Sequence, residues 1–190
     1  MNRRTFLEVT GASVGLGSVA GCSAPTDQDG GQTQPSPTPT ATATKTPTAT
    51  EGDQKTIQMV TDGGDYYFDP IGLFVEPGET VTWTIKAGSH STTAYVKGKS
   101  LGTVTRIPAN AEFWNSNVLS STDATFEHKF TATGTYDYYC IPHKSLGMVG
   151  RLVVGEPGGP AEGSMPPDGK VPSSQTTVDQ TVVPYDEFTG

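Results

Sequence analysis

Cysteine is nearly absent from this 190-residue chain, which has only Cys22 and Cys140. A scaffold stapled by several disulfides is therefore excluded. A single bridge between the two stays formally open, but Cys22 lies in a segment with a chemical fate of its own, described below. Basic residues are scarce too, with 12 Lys and Arg against 20 Asp and Glu and a net charge of −8. Binding to phosphates needs clustered Lys and Arg, so this balance argues against nucleic acid as a partner. The imbalance sits at the ends. Residues 1–54 carry five acids and three bases, residues 156–190 carry six and one, and residues 55–155 are nearly neutral at nine and eight. Long apolar runs are also missing. The weakly hydrophobic stretch at residues 9–20 is too short, and too rich in Gly and Ser, for a membrane-spanning helix.

What is there begins with Arg3-Arg4 ahead of that short stretch, the pattern of a twin-arginine export signal. It ends in Val19-Ala20-Gly21-Cys22, which resembles the lipobox of exported lipoproteins. There the cysteine thiol takes the lipid, so Cys22 is the expected attachment point and residues 1–22 the signal. The alternative is an ordinary cleavable signal that happens to contain a cysteine. Residues 23–54 are a Thr/Pro-rich tether with almost no large apolar side chain. Such a segment cannot bury enough surface to offset its ordering entropy. The expected location is the outer face of the cytoplasmic membrane, lipid-anchored, with the tether giving reach. The acidic, Gly/Pro-rich tail at residues 156–190 is expected to be loose, with a faint apolar patch at Val182-Val183.

The middle, residues 55–155, alternates with a period of two. In Thr80-Val81-Thr82-Trp83-Thr84-Ile85 the apolar residues share one face and the threonines the other. Phe126 and Phe130 share a face farther on, as do Tyr136, Tyr138 and Cys140, and Leu152 and Val154 continue the pattern after Gly150. No helical period intervenes. Many short strands between turns predict an all-β domain, an antiparallel Greek-key β-sandwich.

The chemistry is concentrated in Tyr139-Cys140-Ile141-Pro142-His143-Lys144-Ser145-Leu146-Gly147-Met148. A thiol, an imidazole and a thioether follow one another closely enough for a strand end and a tight loop to bring them to one point. Soft sulfur ligands with imidazoles select copper, and two histidines, a cysteine and a distant methionine make a blue-copper centre. The second imidazole must come from elsewhere. His90 lies just past the Trp83 strand, at a strand end like that of Cys140. His128 keeps register with Phe126 and Phe130 and points inward from mid-strand, so His90 is the expected ligand.

At these residues the middle of the chain resembles a cupredoxin of the plastocyanin type, and most of all halocyanin, the membrane-attached version from halophilic archaea. The resemblance implies a single type 1 copper held by His90, Cys140, His143 and, weakly, Met148. It implies an apolar collar of Pro142, Leu146 and Gly147 at the exposed edge of His143, where electrons enter and leave. Tyr139 would be an outward aromatic offering a second electron path, with Asp137 as its one acidic neighbour. Ser91 stands where plastocyanins often have Asn, and its shorter side chain is expected to loosen the link between the two ligand loops.

The function implied is electron transfer between membrane-bound or peripheral redox proteins, by a monomer that is not an enzyme. Three histidines are too few for a multicopper oxidase or nitrite reductase, and Tyr139 and Ile141 occupy the positions where such enzymes carry further ligands. A copper-binding lipoprotein for storage or delivery is the alternative.

Overall fold

The computed structural model describes residues 55–188. The expected signal, the expected lipid-attachment point Cys22 and the expected tether lie outside the described residues. Among the described residues, no helix is long and apolar enough to cross a membrane.

Among the described residues, nine strands form two sheets. In chain order they are β1 (Lys55–Asp62), β2 (Asp65–Asp69), β3 (Gly72–Val75), β4 (Thr80–Ile85), β5 (Thr93–Ala94), β6 (Thr125–Lys129), β7 (Gly134–Tyr139), β8 (Val149–Val154) and β9 (Val182–Val183). One sheet has the order β2-β1-β4-β6, the other β5-β7-β8-β3-β9. The strands predicted from alternation, β4, β6, β7 and β8, all form. Val81, Trp83 and Ile85 are buried, while Thr80 is exposed and Thr82 and Thr84 are partly so.

The sandwich is as expected, but its sheets are mixed rather than antiparallel. β1 runs parallel to β4, and β3 parallel to β8. The cause is a change of layer. After the β1–β2 hairpin the chain crosses to the second sheet as β3 and returns as β4 beside β1, so β1 and β4 point the same way. Alternation within one strand reports which face is buried and carries no information about the direction of its neighbour.

The core between the sheets is aromatic. Trp83 lies edge-on to Tyr138 with ring centroids 5.6 Å apart and tilted against Phe130 at 6.2 Å. Trp114, from the irregular stretch between β5 and β6, joins them and donates its indole N–H to Thr92 Oγ1 at 3.0 Å. His128 is partly buried and stacks on Trp114 at the margin of this core.

The tail, expected to be loose, is folded against the sandwich. It forms a short helix α1 (Ser174–Gln180), capped by the Ser173 hydroxyl accepting from Thr176 N–H, and then β9, which pairs with β3. Two buried arginines hold it. Arg106 and Arg151 both bond Asp137, at 2.6 and 2.8 Å, and the carboxylate is wholly buried between them. Their remaining donors reach carbonyls of the tail: Arg106 those of Ala161 and Ser164, Arg151 those of Ala161 and Pro172. A buried guanidinium must find partners for all its donors, and the tail supplies them.

Candidate metal centre

His90, Cys140 and His143 converge at one end of the sandwich. His90 follows the turn after β4 and is fixed by backbone bonds to Leu119 in both directions, at 2.9 and 2.7 Å. Its ring is oriented from behind. Nε2 lies 2.8 Å from the Ala87 carbonyl and 3.0 Å from Thr61 Oγ1. A carbonyl can only accept, so Nε2 carries the proton and Nδ1 presents a bare lone pair to the site. The close approach depends on Gly88, in a left-handed conformation (φ +91°), where a Cβ would fall 2.3 Å from Thr61 Oγ1 and 3.0 Å from His90 Nε2.

Cys140 follows directly on β7 and faces the core, on the same side as Tyr138. The chain then turns out through Ile141 and Pro142 to His143 and a single 3-10 turn, Lys144–Leu146. Gly147, at φ +88°, reverses the chain and sends Met148 back into the core, where it is fully buried in the cluster that also holds Cys140. Cys140 N–H donates to the Met148 carbonyl at 3.1 Å, closing the loop at its base.

The two histidine Nδ1 atoms are 3.2 Å apart, and the Cys140 Sγ lies 3.6 Å from one and 3.4 Å from the other. A point equidistant from the three is about 2 Å from each, the bonding range of a first-row metal ion to imidazole nitrogen and thiolate sulfur. The protonation chemistry agrees. Burial lowers the pKa of His90 and of His143, which favours the neutral, ligating form. Burial pushes the Cys140 thiol up, with the Ser91 N–H drawing it back in part, so the thiolate here needs a cation beside it. The donor set fits copper: two imidazoles and a thiol converge, and Met148 is buried in the same apolar cluster as Cys140.

Ser91 does not weaken the link between the loops. Its N–H donates to Cys140 Sγ at 3.4 Å, and its hydroxyl accepts from Ile141 N–H at 2.7 Å, so both ligand loops are tied through one residue.

Residues 55–155 match the family model for copper binding proteins of the plastocyanin/azurin family. The chain belongs to this family. Among curated relatives, the plastocyanin of Scenedesmus fuscus is 31% identical over 102 residues, covering 52% of this chain and 97% of that protein. The halocyanin of Natronomonas pharaonis is 30% identical over 171 residues, covering 81% of this chain and 98% of its own. Among solved structures, pseudoazurin from Methylobacterium extorquens AM1 overlaps 68% of this chain and 97% of its own, with 21% identity and a TM-score of 0.47.

Pro142, Leu146 and Gly147 are exposed around the half-buried His143. Tyr139 does not face outward. It is fully buried, its hydroxyl accepts from Leu101 N–H at 3.1 Å, and Tyr95 packs against its ring. Asp137 is no surface acid, since the two arginines enclose it.

One residue of the site went unnoticed in the sequence. Tyr66, in β2, stacks on the His143 ring with centroids 3.9 Å apart and planes 16° from parallel. The signal was faint but present: Tyr66 is two residues from the core-facing Phe68, on the same side of the strand.

Proposed function

We propose that this chain is a lipid-anchored blue copper electron carrier, passing single electrons between membrane-associated redox partners, with copper held by His90, Cys140, His143 and Met148. The observation that carries the reading is the convergence of two imidazole Nδ1 atoms and one thiol in a triangle of metal size, supported by hydrogen bonds behind it. Copper bound there supplies one-electron chemistry between Cu(II) and Cu(I). The chain's own part is to hold the ligands still. His90 is locked by Ala87 and Thr61, and Ser91 joins the two loops. Met148 is fully buried, and Tyr66 covers one face of His143. A site that changes little between oxidation states suits a carrier, and Leu146, 61% exposed beside His143, offers an apolar contact for a partner. The sequence at Cys22 supports the lipid anchor.

The test is the visible spectrum of the copper-loaded protein. The expected result is an intense band giving a blue colour, bleached by ascorbate, restored by oxidant and lost in Cys140→Ser. A colourless protein that binds copper and yields it readily to a chelator would favour storage or delivery. A band that survives in Cys140→Ser would sink the assignment of the thiolate.

A further inference from the structure

The ligand loop leaves an outer side open: Pro142, Ser145, Leu146 and Gly147 are exposed. The Leu146 and Met148 amides donate to the His143 carbonyl at 3.0 and 3.3 Å, which sets the loop's internal shape but not its seating on the sandwich. Contacts from the C-terminal segment, beyond the residues matched by the family, do reach it. Asp168 Oδ2 lies 3.1 Å from Lys144 Nζ, on the residue after His143, and accepts from the Tyr95 hydroxyl at 2.7 Å. The same ammonium lies 5.2 Å from the centre of the Tyr139 ring and 5.7 Å from that of Tyr95. One carboxylate thus orders the lysine across both tyrosines. Gly169 then passes so close to the loop that a Cβ on it would fall 3.0 Å from the Gly147 carbonyl oxygen and 2.8 Å from Val149 Cγ2. Val171 completes the contact, packing in one apolar cluster with Tyr95, Tyr139 and Val149.

We propose that residues 168–171 are an outer wall of the metal centre, with Asp168 as the positioning residue that seats the ligand loop and closes Tyr139 to partners. Three sides of the loop are then held: its base by Cys140 and Met148, one flank by Tyr66, the other by Asp168 and Gly169. A redox partner meets the centre at the His143 edge, and a donor and an acceptor must use that edge in turn. The seating role is a property of the chain alone. The closure of Tyr139 as an electron route rests on the carrier reading.

The experiment uses the full chain carrying Asp168→Ala. The control is Asp179→Ala, in the same segment but on α1, where Asp179 accepts from Gln175 of its own helix. In the metal-free protein, hydrogen exchange of the Leu146, Gly147 and Met148 amides is expected to speed up about tenfold in Asp168→Ala, the scale of one lost hydrogen bond to a charged group. It should not change in Asp179→Ala. Asp168→Asn, which keeps an acceptor for Tyr95 without the charge facing Lys144, should fall between. Tetranitromethane should nitrate Tyr139 in Asp168→Ala and spare it in the unaltered chain. With copper bound, the reduction potential should shift in Asp168→Ala and not in the control.

Unchanged loop exchange in a folded Asp168→Ala would overturn the seating role, and nitration of Tyr139 in the unaltered chain would overturn the closure. Should Asp168→Ala fail to fold, Lys144→Met removes the same ion pair from the loop side, and the same exchange measurement decides. Faster exchange together with a colourless copper complex would uphold the seating and reject the carrier reading instead.

Discussion

His90 and His143 offer the same atom to the same point, yet they are built in opposite ways. His90 is wholly buried, its backbone paired with Leu119 and its far nitrogen bonded to Ala87 and Thr61. His143 sits half-buried on a loop, its ring face against Tyr66 and its neighbours Pro142, Leu146 and Gly147 in solvent. One is an anchor, set before any metal arrives. The other is an edge, kept in place by stacking and by the loop's seating while still open to contact. A centre that must hold a metal and exchange electrons needs both, and the fold assigns the two demands to two histidines.

Replacing each by glycine gives the largest contrast. His90→Gly should cost the metal-free chain about 2–4 kcal/mol in denaturant unfolding, through the buried cavity and the loss of the ring's bonds to Ala87 and Thr61. His143→Gly should cost less than about 1 kcal/mol, and added imidazole should enter from solvent and restore the visible band with copper. Equal costs, or rescue of both variants, would break the distinction. Gly88→Ala attacks the anchor from behind, by a clash with Thr61 and His90 and by strain at positive φ, and should cost about 2 kcal/mol.

Titration sharpens the comparison further. Burial holds the pKa of His90, and of His128 beside Trp114, below the ordinary value, so the unfolded chain takes up protons first. A group depressed in this way contributes stability above about pH 6.5 and loses it as the pH falls. The metal-free chain should weaken over that acid range, and His128→Gln should flatten the slope. The smallest effects belong to the edge. Tyr66→Ala should cost about 1 kcal/mol, the worth of a stacked ring pair, and speed the loss of copper to a chelator. Met148→Leu should keep the colour and raise the potential, because the thioether no longer favours Cu(II); an unchanged or lower potential would argue against its ligand role.

The convergence of His90, Cys140 and His143 was legible because most of it is local: Cys140 and His143 fall within four residues, and His90 sits just past a strand whose alternation is clean. The apolar collar followed from the same loop. What escaped was long-range. Tyr66 meets His143 across a separation in sequence that no periodicity encodes. Tyr139 looked outward because its neighbours Tyr138 and Cys140 both point into the core, which puts it on the opposite face of the strand. Nothing local announces that Tyr95, Lys144 and Val171 cover it. The tail looked loose since its apolar residues, Ala161, Val171 and Val183, are isolated among Gly and Pro. Its real anchors are Arg106 and Arg151, which lie outside it and draw it in through its backbone carbonyls. Asp137 was misread for the same reason. A carboxylate on an alternating strand reads as solvent-facing until the arginines that enclose it are known.

The two residues of β9 have an effect out of proportion to their length. They lie along the free edge of β3, where Ile71 N–H donates to the Val183 carbonyl and Phe74 N–H to that of Thr181, at 3.0 and 2.7 Å. Uncovered, that edge would offer unpaired amides beside Leu73 and Val75, a template on which another molecule could add a strand. With β9 in place those amides are paired, and the covered edge is a safeguard against self-assembly.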